Sequence, residues 1–305
     1  MAFPTGTFTG KSGDLDVFIP NVWGERINDF FKSVVVLADF FTDRSDELTG
    51  GGDVLYTPGL TEMAATEKAA ATAVTLVSPT ETKITLTVNN WYEVSFMIED
   101  QEAATVKQSY SIQERYAKNA GYSIAKVLEV AIADLFSGFS TTVGASTTNV
   151  ADSEIRAAIA TLETAGVPTD TGEVAFIMHP NTIWRQVQAI DKFSLAVNSP
   201  VNDPTAKKPA GYLYGLPVIS SQNVPYVSDT TGRINLLAHK DAIHFATASL
   251  GLSSKGGMVG SNGIRVQSNY IPEYLGTLTT ADILYGVTEN RDNAAVGILS
   301  SATAA

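Results

Sequence analysis

The 305-residue chain carries 20 Lys and Arg against 32 Asp and Glu, a formal net charge of −12 with a pI near 4.7, and it has no cysteine. Disulfides and thiolate metal sites are therefore excluded, and a basic face that grips nucleic acid is disfavoured, since Lys207-Lys208 is the only basic pair. Charged residues make up 17% of the chain, below the soluble average of about 25%, so the surface is small-featured and suited to extensive protein contact.

Residues 1–20 read as an extended arm, with Pro4, Gly6, Gly10, Gly13 and Pro20 set among Thr and Ser. They lack the basic and apolar regions of a signal peptide. A short helix near Trp23–Phe31 places Trp23, Ile27 and Phe30 on one side. Val34–Phe40 reads as an apolar strand and Thr42–Glu47 as a polar turn.

Gly50-Gly-Gly52 breaks the chain before a strand over Asp53–Pro58. Residues 61–80 are rich in Ala, Thr and Glu. Lys83–Val88 then alternates, with Ile84, Leu86 and Val88 on one face and Thr85 and Thr87 on the other. Strand, low-complexity tip and returning strand make a long hairpin that projects from a core. Two strands standing alone are marginal in water and invite pairing with another chain.

Trp91–Glu99 reads as a strand that runs straight into a helix extending from Gln101 to Phe136. That stretch has no proline and a single glycine, Gly121. An unbroken helix of this length would span roughly 50 Å; a break at Gly121 is the alternative. Ile112, Tyr116, Ala120, Ile124, Leu128, Ala131 and Leu135 form its buried stripe, and Gln113, Glu114, Lys118, Lys126 and Glu129 fall off it. Neither coiled-coil heptads nor an apolar membrane span is present, so the helix lies along a sheet as a spine.

Phe139–Ser153 reads as a Ser/Thr/Gly loop. Glu154–Ala165 is a helix on the stripe Ile155, Ile159 and Leu162, capped by Asp152 or Ser153. Glu173–Met178 is a strand buried on both faces, and Asn181 or Thr182 starts a short helix through Ile190. Residues 191–210 are loop-like. Further strands follow at Gly215–Ser220, Asn235–Ala238, Ile243–Thr247, Ile264–Asn269, Ile283–Thr288 and Ala294–Leu299, with a flexible Ser253–Gly260 and a small polar tail at Ser300–Ala305.

No catalytic, cofactor or metal constellation emerges. Gly6-Thr-Phe-Thr-Gly-Lys-Ser12 has three residues between its glycines where a phosphate-binding loop needs four, and no strand precedes it. His239 and His244 lie five apart in a strand–turn–strand region and need not share a face; with His179 they read as structural. Asp53, Glu62, Glu67, Glu99, Asp100 and Glu102 flank a hairpin and a helix start rather than a cleft, and no Gly-x-Ser-x-Gly elbow exists.

The order of arm, projecting hairpin, spine helix, α/β region and returning strands resembles the major capsid protein of tailed bacteriophages, with its Hong Kong 97-type α+β fold. Phe18-Ile-Pro-Asn-Val-Trp23, Gly52-Asp-Val-Leu-Tyr-Thr-Pro58 with Lys83–Asp100, and Gly211-Tyr-Leu-Tyr-Gly-Leu-Pro-Val-Ile-Ser220 carry the resemblance, which covers nearly the whole chain.

The resemblance implies an N-terminal arm over 1–50, an extended loop over 51–97 and a peripheral domain over 98–150 and 266–305 holding the spine helix. An axial α/β domain would occupy 151–265, and the C-terminal strands would continue the peripheral sheet. It implies a structural protein, not an enzyme, that assembles through hexamers and pentamers into an icosahedral shell around double-stranded DNA. Trp23, Phe30, Lys68, Ile84, Leu86, Val88 and Trp91 would then be inter-subunit contacts. No cofactor and no membrane would be involved. Partners would be further copies, a scaffolding protein, a portal and a decoration protein, and the location the virion capsid after assembly in the host cytoplasm. Some members weld subunits by a Lys–Asn isopeptide bond. Lys68 would be the lysine here and Asn290 or Asn293 the acceptor, with Glu289 nearby, although the Ala/Thr surroundings of Lys68 give no sign of the buried carboxylate needed to deprotonate it. An encapsulin-type compartment would share the fold, and an α/β metabolic enzyme would need a glycine-rich or acid–base site that the sequence lacks.

Overall fold

A computed structural model of the chain describes residues 36–48, 52–60, 63–74, 76, 78, 81–101, 112–190, 211–227, 231–248, 258–259 and 263–302. The arm, the helix expected at Trp23–Phe31, the glycine-rich Gly6–Ser12 stretch and the loop 191–210 lie outside these residues.

The first sheet is organised by one long strand, β13 (Gly276–Glu289). Along one edge it pairs antiparallel with β4 (Asn90–Glu99). Along the other it takes two strands end to end: β12 (Arg265–Ile271) against its first half and β10 (Ile243–Ala248) against its second. The short strands β1 (Thr42–Asp43) and β11 (Met258–Val259) extend the sheet beyond β10 and β12. The second sheet has the order β5-β14-β9-β6-β8-β7. It contains β5 (Thr142–Gly144), β6 (Val174–Met178), β7 (Tyr212–Leu213), β8 (Leu216–Ser220), β9 (Gly232–His239) and β14 (Ala295–Ser301). The strand expected at 283–288 thus continues the first sheet. The last strand, β14, does not: it lies between β5 and β9 in the second.

The long helix is confirmed over its described part. α2 (Ile112–Asp134) runs unbroken through Gly121, about 35 Å, and ends in a 3-10 turn at Leu135–Ser137. Its buried line is Ala120, Ile124, Leu128, Ile132 and Phe136. Tyr116 is exposed, and Ala131 and Leu135 are only half-buried. The contact line keeps a step of four, which turns Ile132 and Phe136 rather than Ala131 and Leu135 fully into the core.

Glu129, expected off the stripe, is fully buried. Its carboxylate accepts from the Val36 N–H at 3.1 Å, the Leu37 N–H at 2.8 Å and the Ser221 hydroxyl at 3.2 Å. This corrects a second expectation. Leu37–Phe40 is a turn of helix, α1, rather than a strand, because Glu129 supplies the anionic N-terminal cap that α1's own residues lack. Leu37 and Phe41, one turn apart, then enter the same core as Phe136.

The second sheet carries α3 (Asp152–Thr164) and α4 (Pro180–Arg185) on one face. α3 buries Ile155, Ala158 and Leu162. Neither Asp152 nor Ser153 caps it; Glu154 reaches back to the Ala151 N–H at 3.0 Å. Every residue of β6 is buried, as its apolar run requires. α4 starts one residue earlier than expected, with the His179 ring accepting the Asn181 N–H at 3.1 Å. β5 falls within the expected loop 139–153 and takes its strand geometry from β14.

Glu129→Leu keeps most of the volume but removes the acceptor of both backbone N–H groups and of the Ser221 hydroxyl. Urea denaturation should show a loss on the order of 3 kcal/mol, from unsatisfied buried groups and lost charge-assisted bonds. Stability equal to the parent chain would contradict the capping role.

Candidate functional site

The hairpin expected from the alternating pattern exists. β2 (Val54–Leu60) pairs antiparallel with β3 (Glu81–Thr87) in a two-stranded sheet, from Val54↔Thr87 to Leu60↔Glu81. Its base is seated on the first sheet. Leu86 and Val88 join Leu48 and Ala246 in a small core, with Leu55, Ala248 and Leu284 against it. Arg44 donates to Thr57, and the Val88 N–H bonds the Asp53 carbonyl at 2.7 Å. The seat depends on Gly286. A Cβ there would lie 2.8 Å from the Thr87 carbonyl carbon and 3.0 Å from the Val88 Cα, so only glycine admits the hairpin backbone onto β13.

Beyond the base the hairpin loses partners. Residues 63–74, 76 and 78 are all exposed and form no helix or strand. Met63 is 61% exposed, Val74 65% and Leu76 90%. The described residues leave these three large apolar side chains of the hairpin tip largely uncovered. The sequence analysis named only Lys68 there; the apolar residues, scattered singly in an Ala/Thr background, carried no periodicity to reveal them.

The other expected contact residues separate into three groups. Leu86 and Val88 are corrected: they are buried in their own chain and have no surface to offer a neighbour. Ile84 is half-buried and Lys68 exposed on the tip. Trp91 is 66% exposed on β4, yet its indole is fixed, donating to Asp282 at 3.0 Å. Arg265 donates to the same carboxylate through Nε at 2.9 Å and Nη2 at 2.5 Å. Burial pushes the Asp282 carboxyl up, and the bonds from Arg265 and Trp91 outweigh it, so the group stays below the usual carboxylate range. The exposed indole is thus held in one orientation by a largely buried ion pair. Trp23 and Phe30 lie outside the described residues.

The histidines do structural work. His179 caps α4. His239 accepts the Asp241 N–H at 3.1 Å and faces Glu173 at 3.3 Å. His244 is buried in β10. No group of three metal-ligating side chains occurs among the described residues. Asn290, considered as a cross-link acceptor, is buried, with its amide nitrogen donating to the Asp241 carbonyl at 3.0 Å. Glu289 beside it is raised above the usual carboxyl value by burial and by Asp292.

Neither a family model nor a curated protein matches the sequence. Solved structures do match. A chain of Mycobacterium phage Che8 superposes with a TM-score of 0.68 at 17% identity, over 92% of this chain and 97% of that one. The capsid structure of the cyanophage P-SCSP1u gives 0.73 at 12% identity, over 97% and 98%. The mature capsid of bacteriophage PhiM1 gives 0.70 at 9% identity, over 92% and 91%. The fold is that of phage capsid chains. The capsid fold extends over nearly the whole length, as the resemblance in the sequence implied, and the mixed α+β architecture is consistent with the Hong Kong 97 type.

Two outcomes are expected. Gly286→Ala should leave the far-UV circular dichroism intact but loosen the hairpin base, seen as faster proteolysis at 61–80 and a loss of about 1–3 kcal/mol; unchanged proteolysis would contradict the backbone seat. The second concerns pH. Burial, with the Arg233 charge second, pushes the His179 imidazole down to about 4, and burial pushes His244 down as well. The unfolded rings bind protons near 6.5, so stability is complete above that pH and is lost as pH falls from about 6.5 toward 4. After allowance for solvent at the half-exposed His179 ring, the loss is on the order of 1–2 kcal/mol. His179→Asn preserves the cap, and should flatten the stability profile across that window.

Proposed function

We propose that this chain is a major capsid protein that self-assembles through hexamers and pentamers into an icosahedral shell around a double-stranded DNA genome. The observation that carries the reading is the hairpin: a β-ribbon whose base is locked to its own sheet and whose apolar tip is left exposed by the described residues. The capsid fold of the superposed structures supports the same conclusion. The role is mechanical rather than enzymatic in this reading, which the fold shared with phage capsid chains supports. A net charge of −12 suits a wall that must enclose nucleic acid without binding it tightly.

In this reading residues 1–50 act as an arm, 51–97 as the extended loop, and the spine helix and first sheet as the peripheral region. The second sheet with α3 and α4 is the axial region. The tip around Met63, Lys68 and Leu76, the half-buried Ile84, the pinned Trp91 and the arm residues Trp23 and Phe30 meet neighbouring copies. Many weak edges then add cooperatively as the shell closes. Scaffold, portal and decoration proteins are the further partners, the virion capsid is the location, and assembly takes place in the host cytoplasm.

Negative-stain microscopy with sedimentation velocity tests this. Closed or tubular particles, or stable pentamers and hexamers, are expected. A chain that remains a compact monomer when concentrated and when mixed with a scaffold would overturn the reading. Leu60 and Glu81 are paired, so an Asn-Gly turn can replace 61–80. That variant should fold as a monomer and lose particle formation.

A further inference from the structure

We propose a head-to-tail self-contact within the axial region, in which Trp184 and Arg185 of one copy enter the cleft between α3 and the β7–β8 turn of the next. It rests on the shell reading above and names the side chains that would close its rings.

α4 buries Ile183 through its inner face, and Val187 beyond it also enters the core. Its outer face presents Trp184, 58% exposed, and next to it the exposed Arg185, which forms no ion pair with any described residue. Trp and Arg are among the residue types most enriched at the energetic centres of protein interfaces.

The complementary feature lies elsewhere on the same lobe. A cleft of about 550 Å³ opens between α3, the 169–172 loop and the β7–β8 turn, in the size range of sites that accept a large side chain. Ile159, Leu216 and Pro217 give it an apolar wall, and Glu163 and Asp170 stand at its rim. Arg156 also lines it, but its guanidinium is engaged by Asp152 at 3.0 Å. Glu163 accepts only a neutral hydroxyl, from Thr169 at 2.8 Å. The rim is therefore acidic over an apolar wall, matching a cation beside an aromatic ring in both sign and chemistry.

The two features cannot meet within one chain. Residues 169–172 lead into the start of β6, and α4 leaves from its end. Five strand residues, about 17 Å, separate them. A surface whose complement sits at the opposite end of the same lobe makes a heterologous contact, which repeats from copy to copy and closes into a ring when the rotation allows.

The absence of native cysteine gives a clean test. The full-length chain carrying Arg185→Cys and Asp170→Cys is assembled, oxidised and run on non-reducing gels. A ladder of covalent oligomers is expected, with none from either single variant. Particles without a ladder overturn the proposal and leave the shell reading standing. Failure of the parent chain to form any particle or ring overturns both. Should the double-cysteine chain not assemble, charge reversal decides: Arg185→Glu should lower particle yield tenfold or more, and Glu163→Lys with Asp170→Lys should restore it. A yield that Arg185→Glu leaves unchanged, or that the reversed pair does not restore, overturns the contact.

Discussion

The structure depends on β13 being paired on both edges and covered on both faces. One edge serves β4; the other is shared by β12 and β10 in tandem. One face receives α2 through Ala281, Ile283 and Tyr285, and the opposite face receives the hairpin base at Leu284 and Gly286. The alternation of a strand makes this division possible, because odd and even positions answer to different neighbours. A strand so fully committed cannot shift register, since a slip of one residue would exchange the helix-facing and hairpin-facing sets. The direction in which the hairpin projects is thereby set by backbone contact rather than by adjustable side chains.

Glu129 supplies the second fixed point. A buried carboxylate without a cationic partner is expensive unless its lone pairs are filled, and here two backbone N–H groups and one hydroxyl fill them. The three donors come from α1 and from Ser221, just beyond β8. One side chain of α2 thus connects the beginning of the described chain, the spine helix and the second sheet.

Elements with strong internal periodicity were legible in the sequence. β3, β6 and α2 announce themselves by alternation, by a continuous apolar run and by steps of four, and the hairpin follows from two such segments around a low-complexity tip. The misreadings fall where identity comes from distant residues. α1 is helical because a carboxylate 92 positions away caps it. β5 is a strand because β14 pairs with three residues of a Ser/Thr loop. Leu86 and Val88 showed the right face but not its owner, because an apolar stripe does not say which chain will cover it. Gly286 was readable in principle, as a lone glycine in a strand signals close backbone approach. Glu129 was not, since nothing local distinguishes a buried helix glutamate from a solvated one.

The placement of β13 and β14 after every strand they pair with governs how the protein must fold. The first sheet waits for residues 276–289 before β4, β10 and β12 have a common partner, and the second waits for residues 295–301 to fill the gap between β5 and β9. Neither sheet can close before residues 276–301 are available, so the contact order is high and folding is correspondingly slow. Until then the hairpin has no seat and its edges stand open, so loss of residues 276–301 would remove the common partner of the strands in both sheets.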